Sequence, residues 1–306
     1  MYIVEFIKSL RYRGSITLVI WLVLNIMIIV SFFSGFFALI PMSMGIENDW
    51  VIGGTGIICS LLIYAISLAI ALSDFGERSL RRKCGAKPIK DQEVLRRIMP
   101  LFNEVYSRAK WATPGISEDI KLFITDDEDV NAFATGRKTI CITKGLLSIP
   151  DAEIKGVLAH EFGHIAHKDT DALQFVFVGN VIVSIGASIL STFMYFMSVS
   201  VCAAFKEGLF GYVMGHFFKY TVGPAIMWLW GKIGELLVLR TGRANEYLAD
   251  QYAYTLGYGR GLCNMLYKYG DTKSHGVFAI LSSTHPATED RIAKLTGGTA
   301  LQLRTA

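Results

Sequence analysis

The chain alternates between long apolar stretches and polar regions of regular periodicity. Ile16 to Ile40 and Val51 to Leu72 contain no charged residue. At about 1.5 Å per helical residue each can cross a bilayer, so both are read as transmembrane helices joined by a short loop. A third stretch, about Leu173 to Phe205, is also uncharged and carries Asn180, Ser184, Ser188 and Ser191 at three- and four-residue spacing. That spacing predicts a polar seam against another helix. The fourth, about Gly208 to Leu239, is interrupted by His216, Lys219, Lys232 and Glu235. It predicts either the second arm of a membrane hairpin, with its ends snorkelling, or in part a buried helix lining a cavity; the hairpin is favoured, with Lys232 and Glu235 able to pair on one face.

The polar regions have their own patterns. Asp91 to Ala109 places Val94, Leu95, Ile98, Leu101, Phe102, Val105 and Tyr106 at helical spacing, with Pro100 expected to kink or divide the helix. Lys121 to Thr125 and Thr139 to Thr143 read as short strands, with Val130 to Ala134 as a third between them. Ser148-Ile149-Pro150-Asp151 reads as a capping box. Ile154, Val157, Leu158, Phe162 and Ile165 then form a buried helical stripe. The expectation is a mainly α protein with a small β-sheet, built as a multi-pass helical membrane protein. Residues 1–72 form an N-terminal hairpin, 73–172 and 240–306 two parts of one polar domain, and 173–239 the second hairpin.

Composition agrees. Of 306 residues 52% are hydrophobic, and the mean hydropathy is +0.41, too apolar for a typical soluble globule. No small-residue cleavage site follows the first stretch, so it reads as a retained anchor. Lys8, Arg11 and Arg13 precede it, the first loop holds Glu47 and Asp49, and Arg78, Arg81, Arg82, Lys83, Lys87 and Lys90 follow the second stretch. The positive-inside rule therefore puts both ends of this hairpin in the cytoplasm. The net charge of +4 fits juxtamembrane clusters meeting an anionic bilayer. No aromatic-basic array of nucleic-acid-binding type is present. The five cysteines, Cys59, Cys84, Cys141, Cys202 and Cys263, form no C-x-x-C pair, the profile of free thiols in a reducing compartment.

The chemistry concentrates in His160-Glu161-Phe162-Gly163-His164, an H-E-x-x-H sequence on a helix. Two imidazoles one turn apart beside a carboxylate provide two zinc ligands and a general base. Thr170 stands where one family of zinc proteases has its third histidine, and His167 is poorly spaced and suits the helix end. Farther on, Glu246 and Asp250 lie one turn apart. One could ligate the metal while the other holds a ligand imidazole by its second N–H, or both could be solvated surface charges.

These motifs together resemble the HtpX-type membrane zinc endopeptidases, relatives of the CAAX prenyl proteases. The resemblance rests on H-E-F-G-H, on Arg243 to Asp250 as R-x-x-E-Y-x-A-D, on Val130-Asn131-Ala132-Phe133-Ala134-Thr135-Gly136, and on Ser283-Thr284-His285-Pro286 through Arg291-Ile292. It implies a gluzincin-type zinc protease domain, with one Zn2+ per chain on His160, His164 and Glu246, Glu161 activating water, and Asp250 orienting a ligand histidine. It also implies that Asn131, Ala132, Phe133 and Ala134 form the strand that holds an extended peptide. A donor for the oxyanion is needed too, and His285 and Arg243 are the candidates. His285 could instead cap a helix starting near Pro286, and Arg243 could pair with Asp250.

The implied activity is hydrolysis of misfolded or membrane proteins at the cytoplasmic face of a bacterial inner membrane. Two alternatives are a CAAX-type prenyl-protein protease and a non-enzymatic zinc-bearing membrane scaffold. Oligomeric state has no signal in the chain.

Overall fold

The computed structural model describes residues 16–204, 208–270 and 288–302; at some helical positions, Glu235, Arg243 and Cys202 among them, the side chain also lies outside the described set. The elements are α1 (Ile16–Ser43), α2 (Asp49–Ala71), α3 (Asp74–Lys83), α4 (Gln92–Ala112), β1 (Lys121–Thr125), β2 (Ala132–Thr135), β3 (Thr139–Thr143), α5 (Asp151–Ala166), α6 (Asp169–Ala204), α7 (Gly208–Phe217), α8 (Gly223–Thr255), α9 (Gly259–Tyr269) and α10 (Thr288–Gln302). The described residues fall into two compact units, one of 71–174 with 239–270 and 288–302, the other of 16–70 with 175–204 and 208–238.

The first unit packs helices against a three-stranded sheet of order β1-β3-β2. β1 runs parallel to β3 and β2 antiparallel to it, with Phe133 opposite Cys141 and Ala134 opposite Ile140. Ile98, Phe102 and Val105 of α4, Ile140 and Ile142 of β3, Ile154, Leu158 and Phe162 of α5, and Leu262 of α9 form its core. Phe162 stacks on Tyr106 with ring centroids 5.3 Å apart. α5, the helix carrying H-E-x-x-H, is thus packed along its apolar stripe, and its polar flank is left for chemistry.

Two local expectations are corrected. Ser148 does not cap α5: its hydroxyl donates to the Gly145 carbonyl at 2.7 Å and closes a preceding 3-10 turn. Pro150 occupies the cap position without a side-chain bond, and Arg97 binds Asp151 in the first turn, with Nη2 to Oδ1 at 2.8 Å. Pro100 does not divide α4, which is one helix over Gln92–Ala112. Pro100 is exposed, so the carbonyl that its missing N–H leaves unbonded faces water. The strands β1 and β3 fall where expected, and β2 sits slightly later than expected.

In the second unit three helices among the described residues are long and apolar enough to cross a membrane: Val19–Ser43, Asp49–Ala71 and Phe177–Ser200. The fourth stretch is not a simple arm. It is broken into α7, a π turn over Phe218–Val222, and α8. α8 runs unbroken from Gly223 to Thr255, because no proline follows Pro224 within it and the lone Gly242 is tolerated inside a helix. Asn180 of the polar seam accepts a hydrogen bond from the Trp21 indole at 3.2 Å. Trp21 stacks on Trp230 with centroids 4.0 Å apart, and buried Asn25 accepts from Trp230 and donates to the Trp21 carbonyl. Polar side chains in an apolar bundle are thereby satisfied by one another.

Candidate metal centre

Two helix segments of the first unit supply the site. On α5, His160 and His164 leave one face a turn apart, with Glu161 beside them. On α8, Glu246 and Asp250 do the same. The two segments approach closely at Gly163, where a Cβ would meet Ala249 Cα at 2.8 Å. Any larger residue there would force the helices apart.

The result is a tight triangle of donor atoms. His160 Nε2 and His164 Nε2 are 3.2 Å apart. Glu246 Oε2 lies 3.3 Å from His160 Nε2, and Glu246 Oε1 lies 3.3 Å from His164 Nε2. A tetrahedron with metal bonds of about 2.05 Å has edges of about 3.3 Å, so the nitrogen pair and each nitrogen–oxygen separation match an edge of a zinc site, the two rings facing different oxygens of the same carboxylate.

The far side of each ring fixes its proton. His160 Nδ1 bonds Asp250 Oδ1 at 2.9 Å, and His164 Nδ1 bonds Asp169 Oδ2 at 2.8 Å. A carboxylate can only accept, so each Nδ1 carries hydrogen and, in the neutral ring, each Nε2 turns a lone pair inward. Two lone pairs and a carboxylate oxygen at these separations repel unless a positive charge sits among them. Burial disfavours the charged rings, yet Asp250 and Glu246 raise the pKa of His160, and Asp169 and Glu246 raise that of His164 well above the ordinary value. The pocket is therefore built for a cation, whether a proton or a metal ion. The donor set of two imidazoles and one carboxylate suits zinc.

Arg291, from α10, closes the arrangement. Its guanidinium bonds both oxygens of Asp250, at 2.6 and 2.8 Å, and reaches Glu246 Oε2 at 3.4 Å. Burial pushes the Asp250 carboxyl up, but Arg291 and His160 outweigh it and hold it at about 2. Asp250 thus stays ionised and keeps His160 in one tautomer.

Glu161 is buried beside the triangle, and its Oε2 accepts the Ala134 amide hydrogen at 2.7 Å. Ala134 lies on β2, an edge strand of the sheet. Asn131 precedes that strand and ties it to β3, donating its N–H to Thr143 Oγ1 at 3.0 Å and accepting from the Thr143 amide. Phe133 packs with Cys141 on the opposite face.

His160, His164, Glu246, Asp250, Glu161 and the Asn131–Ala134 segment are thus brought together. His285 and the Arg243 side chain lie outside the described residues; the guanidinium described on Asp250 is that of Arg291. Sequence reasoning missed two participants. Asp169 reaches His164 because the chain reverses at Lys168, a non-glycine residue at φ 59°, just after the His167 helix cap. The only hint was an acidic residue shortly after H-E-x-x-H. Arg291 gave no signal beyond its place in a matching stretch.

Comparison with known proteins places these features. The model of Peptidase family M48 matches residues 97–299. A "Protease HtpX homolog" of Desulfatibacillum aliphaticivorans is 28% identical over 274 residues, 81% of this chain and 83% of its own length. Another, from Aquifex aeolicus, is 28% identical over 283 residues, 80% of this chain and 85% of its own. Among solved structures, that of S. mikatae Ste24p is 20% identical with a TM-score of 0.41, covering 96% of this chain and 65% of that one.

Proposed function

The chain belongs to peptidase family M48, and on that premise we propose that it is a membrane-embedded zinc-dependent endopeptidase. The observation that carries the reading is the donor triangle of His160, His164 and Glu246, with both histidines locked by carboxylates and Glu161 held beside it. Zinc bound there would act as a Lewis acid, lowering the pKa of a bound water to about 7 and polarising the scissile carbonyl.

The protein's own groups do the rest. Glu161 has Oε2 engaged by Ala134 N–H, which aims Oε1 to take the water proton and return it to the leaving amine. Asp250 and Asp169 hold the ligand rings in register. Along β2 the backbone groups of Ala132 and Ala134 face away from β3, since Asn131 takes the Thr143 amide on the β3 side, the orientation alternates along the strand, and the Ala134 amide points to Glu161. The two amides on that side are taken, by Asn131 Oδ1 and Glu161 Oε2, so an extended peptide would pair with that edge through the Ala132 and Ala134 carbonyls. Arg243 and His285 are the proposed oxyanion donors.

The basic flanks support a site facing the cytoplasm by the positive-inside rule, and the likeness to bacterial HtpX proteases supports an inner-membrane location. Misfolded or membrane proteins are the proposed substrates. A zinc-bearing scaffold has no use for a carboxylate placed as Glu161 is, which disfavours that alternative. The test is cleavage of an unfolded protein by detergent-solubilised enzyme, with and without chelator, in wild type and Glu161→Gln. The proposal expects chelator-sensitive cleavage lost in a folded, metal-loaded variant. Full activity in Glu161→Gln would overturn the assigned base. A prenylated peptide cleaved in preference to unfolded protein would favour the CAAX-type reading.

A further inference from the structure

We infer that α3 is a contact for anionic lipid headgroups that sets the active-site hairpin; the inference rests on the reading of β2 as the peptide-holding strand. At about 100° per residue, Phe75, Arg78 and Arg82 fall in one sector of α3 and Glu77 falls nearly opposite. The structure agrees with the wheel. Phe75 is 64% exposed and Arg78 and Arg82 are exposed, neither arginine making an ion pair among the described residues, whereas Glu77 is 4% exposed.

The buried side grips the turn between β2 and β3. Glu77 Oε1 accepts the amide hydrogens of Arg137 and Lys138, the latter at 3.1 Å, and Oε2 accepts the Thr139 hydroxyl at 2.9 Å. Arg81 donates to the same hydroxyl oxygen at 3.0 Å. The turn passes through Gly136 at φ +62°, where a Cβ would lie 2.3 Å from Glu77 Oε1. One carboxylate from α3 thus fixes the end of the strand whose Ala134 amide holds Glu161.

The outward side matches a membrane surface. Only Leu72 and Ser73 separate the candidate span Asp49–Ala71 from the start of α3, so chain length alone keeps that start within about 11 Å of the span's end. An aromatic ring beside two exposed arginines, tethered there, has the composition of an interfacial helix reading phosphate headgroups. Seating the helix on such headgroups would hold Glu77, and through it the β2–β3 turn, in place. Each arginine should change the seated population roughly fivefold.

The experiment uses the full chain in phosphatidylcholine vesicles with and without phosphatidylglycerol. It reads hydrogen–deuterium exchange over residues 132–139, metal content and chelator-sensitive cleavage. Wild type should exchange more slowly and cleave several-fold faster when phosphatidylglycerol is present. The double variant Arg78→Gln/Arg82→Gln should keep its phosphatidylcholine-level exchange and cleavage in both membranes. Glu77→Gln should exchange fast and cleave slowly in both, with metal content unchanged. Wild-type exchange indifferent to phosphatidylglycerol, a double variant that responds like wild type, or Glu77→Gln with wild-type exchange would each overturn the inference. A lipid-dependent exchange with no cleavage in any protein would uphold α3 and instead defeat the peptidase reading.

Discussion

Asp250 and Asp169 look alike as partners of the two ligand histidines, at 2.9 and 2.8 Å from Nδ1, but their substitution should not be alike. Asn at either position keeps an oxygen that can accept from Nδ1–H, so the tautomer survives while the negative charge is lost. Changes of this kind cost about 10- to 100-fold in metal affinity, or about 1.4–2.7 kcal/mol. Asp169→Asn should stay at the lower end. Asp250→Asn does more, because Asp250 also neutralises a buried guanidinium through two bonds of 2.6 and 2.8 Å. Removing one partner of a buried pair costs about 3–5 kcal/mol. Arg291 would then turn towards Glu246, already 3.4 Å away, and compete with the metal for its oxygen. Thermal unfolding of metal-free protein and zinc competition against a chromophoric chelator measure the two effects. Asp250→Asn should be destabilised without metal and lose more zinc affinity than Asp169→Asn, and adding Arg291→Met should restore part of the stability. Metal-free Asp250→Asn as stable as wild type, or equal loss of affinity in the two variants, would refute the role given to Arg291.

Other consequences follow from the same geometry. Gly163→Ala should cost about 1–3 kcal/mol through overpacking and weaken metal binding, because its Cβ would push on Ala249 Cα; unchanged zinc affinity would contradict the close approach of α5 and α8. Burial pushes the Cys141 thiol up to about 12, so its thiolate appears only as pH rises towards that value. Alkylation of native protein at pH 8 should spare Cys141 and label it after unfolding. In the second unit, Asn25→Val breaks the links to Trp230 and the Trp21 carbonyl and should destabilise the bundle by about 0.6–2 kcal/mol. Chemical denaturation in detergent would read that loss.

Much of the site could be read from the chain because its parts are periodic. Histidines at 160 and 164, and carboxylates at 246 and 250, share faces in any helix, so both pairs were visible before any packing was known. The strands β1 and β3 were equally legible from their apolar runs between polar turns. What stayed hidden depends on where the chain turns or on distant packing. Asp169 meets His164 only through the left-handed Lys168, and Arg291 meets Asp250 only when α10 packs back on the first unit. The continuity of α8 was hidden for a different reason: the charges at Lys232, Arg240 and Arg243 look like a boundary, but charge does not end a helix where no proline or terminal glycine does.

Elemental analysis of purified wild type, His164→Ala and Glu246→Gln tests the central claim most directly. Two imidazoles and a carboxylate converging on one ion predict about one zinc per wild-type chain and its loss in both variants, each still folded by circular dichroism. Zinc retained at the wild-type ratio in either variant, or folded wild type without zinc after purification in its presence, would contradict the account.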